Sequence, residues 1–80
     1  MRLTVLIRPK VGILDPQGEA VQDSLSTLGY AVSRVRVGRL VDLEVESDDP
    51  IAARAEVERM CGDLLANPLI ESFEIVVAEA

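Results

Sequence analysis

Two Asp-Pro pairs, Asp15-Pro16 and Asp49-Pro50, most constrain what this chain can fold into. The carboxylate of such a pair accepts the first free backbone N–H groups of a helix. The proline takes the first helical position, where a missing N–H costs nothing. Behind the first pair, Val21, Leu25 and Leu28 fall at i, i+4 and i+7, with Ala20 and Ser24 beside them. Gly29 then stands where a left-handed C-terminal cap belongs. Behind the second pair, opened by Ser47-Asp48, the apolar positions are Ala53, Val57, Met60, Cys61, Leu64 and Leu65, again at helical spacing. Asn67-Pro68 ends this helix, with Asn67 suited to a left-handed cap. Gly62 within it lowers helix propensity, and a close approach of another element would explain its presence.

The segments between the helices alternate. Leu3, Val5 and Ile7 share one parity against Arg2, Thr4 and Arg8, a strand with one buried face that ends near Pro9. Across residues 31–46, Val35, Val37, Val41, Leu43 and Val45 are odd-numbered, while Arg34, Arg36, Asp42, Glu44 and Glu46 are even. Either a two-residue hairpin at Gly38-Arg39 or one long strand bent at Gly38 fits, and parity maintained through the glycine favours the bent strand. Its even face is basic in the first half and acidic in the second. Two copies paired antiparallel would set the Arg end against the Asp/Glu end, whereas on a solitary copy these are solvated charges. A last strand runs from Ile70 to Ala78 with Phe73, Ile75 and Val77 inward, Glu71, Glu79 and Ala80 marking its frayed ends. The expected fold is α+β: a small two-layer sandwich in one domain, residues 1–80. An antiparallel sheet carries two helices on one face, in the ferredoxin-like related order β-α-β(β)-α-β.

Eighty residues bury a thin core, yet 49% of them are apolar, so association is the natural way to complete burial. The net charge is −6 with only one Phe and one Tyr, a balance that argues against binding nucleic acid by phosphate contacts or base stacking. The basic residues gather in the first half: Arg2, Arg8, Lys10, Arg34, Arg36 and Arg39. With one cysteine there is no internal disulfide, as suits a reducing cytoplasm. Neither a signal peptide nor a membrane-length apolar run is visible.

Chemical equipment is sparse. There is no histidine, so the usual general base and metal ligand are missing. Cys61 sits on an apolar stripe and reads as a buried structural thiol. Asp48-Asp49 stands at a helix start, where acids complement the helix dipole, and no metal site is expected. The glycines match no phosphate loop. Lys10 and Gly12 lie near a helix N-terminus that would welcome an anion, but Asp15 opposes that use. The expectation from the residues is therefore a binding, sensing or assembly module with no catalytic residue or cofactor of its own.

Gly12, Leu14, Asp15-Pro16-Gln17-Gly18, Leu28-Gly29-Tyr30, Val35-Arg36-Val37-Gly38-Arg39, Met60-Cys61 and Leu64-Leu65-Ala66-Asn67-Pro68-Leu69-Ile70-Glu71 together resemble the PurS family. PurS is the small subunit of bacterial and archaeal phosphoribosylformylglycinamidine (FGAM) synthase. Arg39 stands where many relatives carry Lys, and the charge is kept. The resemblance implies a role in purine biosynthesis as a cytoplasmic, homodimeric or tetrameric bridge between a glutaminase subunit (PurQ) and an ATP-dependent synthetase subunit (PurL). The bridge supports ammonia transfer, and ATP and Mg belong to the large partner. On this reading Asp15, Pro16 and Gly18 shape the first loop. Gly38 permits the bend, and Asn67 and Pro68 shape the second turn. Arg8, Lys10, Arg36 and Arg39 are the candidate partner-facing charges. The alternative is a small-molecule-sensing domain of the ACT or PII-like kind, which shares the element order but would need a long flexible loop for the PII version.

Overall fold

The computed structural model describes residues 1–78. The order is β1 (Arg2–Pro9), α1 (Pro16–Thr27), β2 (Arg39–Glu44), α2 (Pro50–Met60), a π-helical turn (Cys61–Leu65) and β3 (Glu71–Val77). The three strands form one antiparallel sheet in the order β2-β1-β3. β1 is central and the most deeply buried strand: Leu3, Val5 and Ile7 are almost wholly buried. Leu3 pairs with Leu43 on one side and Val77 on the other, and Ile7 pairs with Arg39 and Phe73. Ala53, Val57 and Cys61 cover this face and complete the core with Val45, Ala66 and Ile75.

Both Asp-Pro helix starts form as expected. Asp15 caps α1 by accepting from the Gly18 N–H, and Asp49 caps α2 by accepting from the Ile51 N–H. Gly29, at φ +97, ends α1 in a Schellman arrangement: its N–H donates to the Ser26 carbonyl, and the Tyr30 N–H donates to the Leu25 carbonyl.

Three local expectations give way. Asn67 is not a left-handed cap, since no non-glycine residue described has positive φ. Instead α2 loosens into the π-helical turn, where the Ala66 N–H reaches back five residues to the Cys61 carbonyl, and Ala66 is already extended. Gly62 faces open space, with nothing within 4 Å of a Cβ built there, so close approach does not explain it. Only the second half of the segment 31–46 enters the sheet. Neither a hairpin nor a full-length strand forms: residues 31–38 run unpaired before β2 begins at Arg39.

The element order, the antiparallel sheet and the two helices agree with the sequence reading, but the helices are not equivalent. α2 packs on β3, while α1 makes no comparable contact with any other element. Its stripe stays open, with Val21 41% and Leu28 73% exposed. Together α1 and residues 31–37 form an arm, joined where a Cβ on Gly18 would strike the Val35 carbonyl and where Gln22 Nε2 donates to the Ser33 carbonyl. The molecule is consequently a plate of 48 × 28 × 14 Å. Its radius of gyration is 15.8 Å, against about 12 Å for a compact chain of this length.

Candidate functional site

The residues singled out from the sequence converge on two polar nodes at one end of the sheet. At the first, the Asp15 carboxylate accepts twice: Oδ1 from the Gly18 N–H at 3.0 Å and Oδ2 from the Val37 N–H at 2.8 Å. These two bonds, helped by Arg36, hold its pKa below the ordinary carboxylate value. Arg36 lies alongside, Nε 3.9 Å from Asp15 Oδ2, and its terminal nitrogen donates to the Pro9 and Lys10 carbonyls at 3.2 and 2.7 Å. Asp15 and Arg36 thus tie the end of β1, the start of α1 and the approach to β2 into one joint. Gly38 completes it, because a Cβ there would fall 2.2 Å from the Ile7 carbonyl oxygen.

The second node is built on Arg39. Its guanidinium grips Glu71 with two bonds of 2.9 and 3.1 Å and donates to the Leu65 carbonyl at 2.6 Å. Glu71 also accepts from the Asn67 N–H at 2.8 Å, and this bond, with Arg39, lowers its pKa. Asn67 Oδ1 accepts from the Leu69 N–H, and Lys10 Nζ donates to the Pro68 carbonyl at 2.6 Å. Two cations therefore cap the carbonyls beyond α2, where the helix dipole favours positive charge.

Three of the four basic residues expected to face a partner, Lys10, Arg36 and Arg39, are thus engaged with their own chain. The fourth, Arg8, makes an exposed ion pair with Glu74 at 3.5 Å, of a kind that adds little to stability. Asp15, Gly38, Asn67 and Pro68 sit outside the helices and strands, whereas Pro16 and Gly18, expected to shape a loop, lie in the first turn of α1, where Pro16 takes the first position and the Gly18 N–H meets the Asp15 cap. Glu71 was missed: read as a frayed strand end, it is the anion around which the second node is organised. The signal was present in Asn67-Pro68-Leu69-Ile70-Glu71, where an acid four residues after an Asn can accept that Asn's N–H. Glu79 and Ala80 lie outside the described residues.

Cys61 is buried in the core, and desolvation, then Glu58, pushes its pKa up, which makes it a poor nucleophile. Among the described residues no group of three His, Cys, Asp or Glu side chains is placed to hold a metal. No helix there is long and apolar enough to cross a membrane. What the arrangement offers is surface. α1 carries an uncovered apolar stripe, Leu64 and Leu69 protrude beyond α2, and β2 and β3 both leave a sheet edge open.

Residues 2–79 match the family model PurS, described as phosphoribosylformylglycinamidine (FGAM) synthase. The FGAM synthase subunit PurS of Synechocystis sp. is 46% identical over 98% of this chain and 79% of its own length. The crystal structure of Methanocaldococcus jannaschii PurS superposes with a TM-score of 0.86 at 36% identity, covering 99% of this chain and 96% of that one. A chain in the structure of PurLQS from Thermotoga maritima also gives a TM-score of 0.86, at 29% identity, covering 94% and 93%.

Proposed function

The chain belongs to the PurS family, and we propose that it is the non-catalytic small subunit of an FGAM synthase, acting in the cytoplasm as a bridge between a synthetase and a glutaminase subunit. The glutaminase releases ammonia from glutamine. The synthetase uses ATP and Mg to activate the amide of phosphoribosylformylglycinamide, and ammonia converts it to the amidine. The small subunit keeps the two together and supports transfer of ammonia between them.

The observation that carries this reading is the use made of the family-matching residues. Asp15, Arg36, Arg39, Asn67 and Glu71 hold loops in place. The surface they create is a thin plate with open edges and an unpacked arm. Such a shape is suited to contacts with several chains at once.

Self-association follows the same logic. Met1 and Val45 exchange backbone bonds, so the odd residues of β2 face β1 and the even ones, Leu40, Asp42 and Glu44, turn their backbone groups outward. A second copy meeting this edge about a two-fold axis at Leu40 would place Arg36 opposite Glu44 and Arg34 opposite Glu46. This register extends β2 into residues 31–38 and sets two arginines of each copy against two glutamates of the other.

Two measurements test the proposal. Glutamine-dependent amidine formation by the synthetase and glutaminase subunits should require this chain, and equal activity without it ends the assembly role. Arg34→Glu and Glu46→Arg should each weaken the dimer by about 5-fold or more, and the double reversal should restore it. Failure of the double variant to recover refutes the register.

A further inference from the structure

Among the described residues, α1 makes no packing contact comparable to that of α2 on β3, so packing does not set where the arm points. The chain passes between sheet and arm twice, along residues 10–15 and at residues 37–38. The arm's direction is fixed by whatever ties these two passages together, and two side chains do so. Asp15 accepts from the Gly18 N–H with one oxygen and from the Val37 N–H, 22 residues away, with the other. Arg36 donates from the second passage to the Pro9 and Lys10 carbonyls on the first. The Gln22–Ser33 bond and the close approach of Gly18 to Val35 lie within the arm and make it one body.

The two ties are not independent. Arg36 Nε is shielded from solvent and has no hydrogen-bond partner among the described residues, at 3.9 Å from Asp15 Oδ2. A buried guanidinium N–H left in this way is costly unless a compensating charge stands beside it. Asp15 supplies that charge from a side chain only 11% exposed. A helix cap needs none of this. One oxygen satisfies it, and Asp, Asn and Ser serve about equally. Asp49 has the plain form: its exposed carboxylate caps α2 through the Ile51 N–H alone.

We infer that Asp15 is a positioning residue: its second oxygen and its charge set the angle between arm and sheet, and with it the arrangement in which the two present their surfaces for assembly. The role in assembly rests on the reading above, whereas the fixed angle is a property of the isolated chain. Asn at this position keeps the cap but turns Nδ2 toward the Val37 N–H, donor against donor, and removes the charge beside Arg36. Ser keeps the cap with a single oxygen and removes the charge as well.

Spin labels on Ser26→Cys in α1 and Glu56→Cys in α2, both exposed positions, report the angle in the isolated chain, with doubly labelled molecules diluted in unlabelled ones. Cys61 is buried and stays unlabelled. The distance distribution should be narrow for the parent and for Asp49→Asn. It should broaden for Asp15→Asn and Asp15→Ser while their circular dichroism is unchanged. Amide exchange at Val37 should quicken about 10-fold in both Asp15 variants, while Gly18, still capped, changes less. Equal widths in all four chains overturn the inference. Broadening accompanied by loss of helical signal reduces Asp15 to a cap and overturns it too. The assembled enzyme tests the consequence. The chain concentration giving half-maximal glutamine-dependent amidine formation should rise about 5-fold for Asp15→Asn and stay at the parent value for Asp49→Asn. A parent-like value for Asp15→Asn beside a broadened arm overturns the positioning role and leaves the assembly role standing. Equal activity with no chain added ends the assembly reading, and the positioning role with it.

Discussion

Gly18 and Gly62 both lie in helical segments, yet replacing each by alanine should move stability in opposite directions. At Gly18 a new Cβ meets the Val35 carbonyl oxygen at 2.4 Å and the Asp15 carboxylate at 2.5 Å. The first is backbone and the second is fixed by two N–H donors, so neither is the loose end of a flexible side chain. Restoring ordinary contact requires a shift of about 1 Å between α1 and residues 35–37, in a joint with interior-like packing. Overpacking of this kind costs about 1–3 kcal/mol, and the strained Val37–Asp15 bond adds about 1 kcal/mol. Better helix propensity returns about 1 kcal/mol. The net loss is about 1–3 kcal/mol, or roughly 5–15 °C in Tm for a domain of this size. At Gly62 no atom lies within 4 Å and φ is not positive, so Gly62→Ala should gain about 0.5–1 kcal/mol by restricting the unfolded chain. Thermal and urea unfolding followed by circular dichroism, at one fixed chain concentration because association shifts Tm, gives both values. A Gly18→Ala variant as stable as the parent would refute the tight joint between the arm and the strand approach.

Acid should loosen both polar nodes. The folded pKa values of Asp15 and Glu71 lie below their ordinary values of 3.8 and 4.5, so their contributions are complete above those values and are lost as pH falls through the lowered folded ones. Unfolding midpoints measured from pH 6 down to pH 2 should decline most steeply below about pH 4.5, and Asp15→Asn should flatten that decline; an equally steep profile in the variant would exclude Asp15 as a contributor. Cys61 should stay silent to a thiol reagent in the native chain and react fully in urea, since burial both shields it and raises its pKa. Rapid native labelling would contradict its place in the core.

Much of the fold was legible because local chemistry and tertiary need agree. Asp15-Pro16 and Asp49-Pro50 start helices whether or not anything packs on them, and Leu3, Val5 and Ile7 have one apolar face to bury. What periodicity could not express is whether a partner exists within the same chain for each apolar face. The stripe Val21, Leu25 and Leu28 reads like that of α2, yet α2 finds a sheet and α1 does not. The Arg set illustrates the same limit. Arg36 and Arg39, read from the sequence as partner-facing charges, also hold the loop carbonyls of Pro9, Lys10 and Leu65, and only the fold brings those groups beside them. Glu71 escaped notice because its partners, Arg39 and the Asn67 N–H, meet it through chain reversal rather than through any helical or strand period.

The central position of β1 has a consequence for how the chain acquires its structure. Leu3 has as its two sheet neighbours Leu43 and Val77, both far from it along the sequence. The long loops between these pairings must close before the sheet repays their entropy, so folding should be slow for so short a chain. Until β3 arrives, one flank of the most deeply buried strand in the molecule stands open. A chain interrupted before residue 71 would thus present the backbone groups of Thr4, Leu6 and Arg8 as an adhesive edge, and the seven residues of β3 act as its seal.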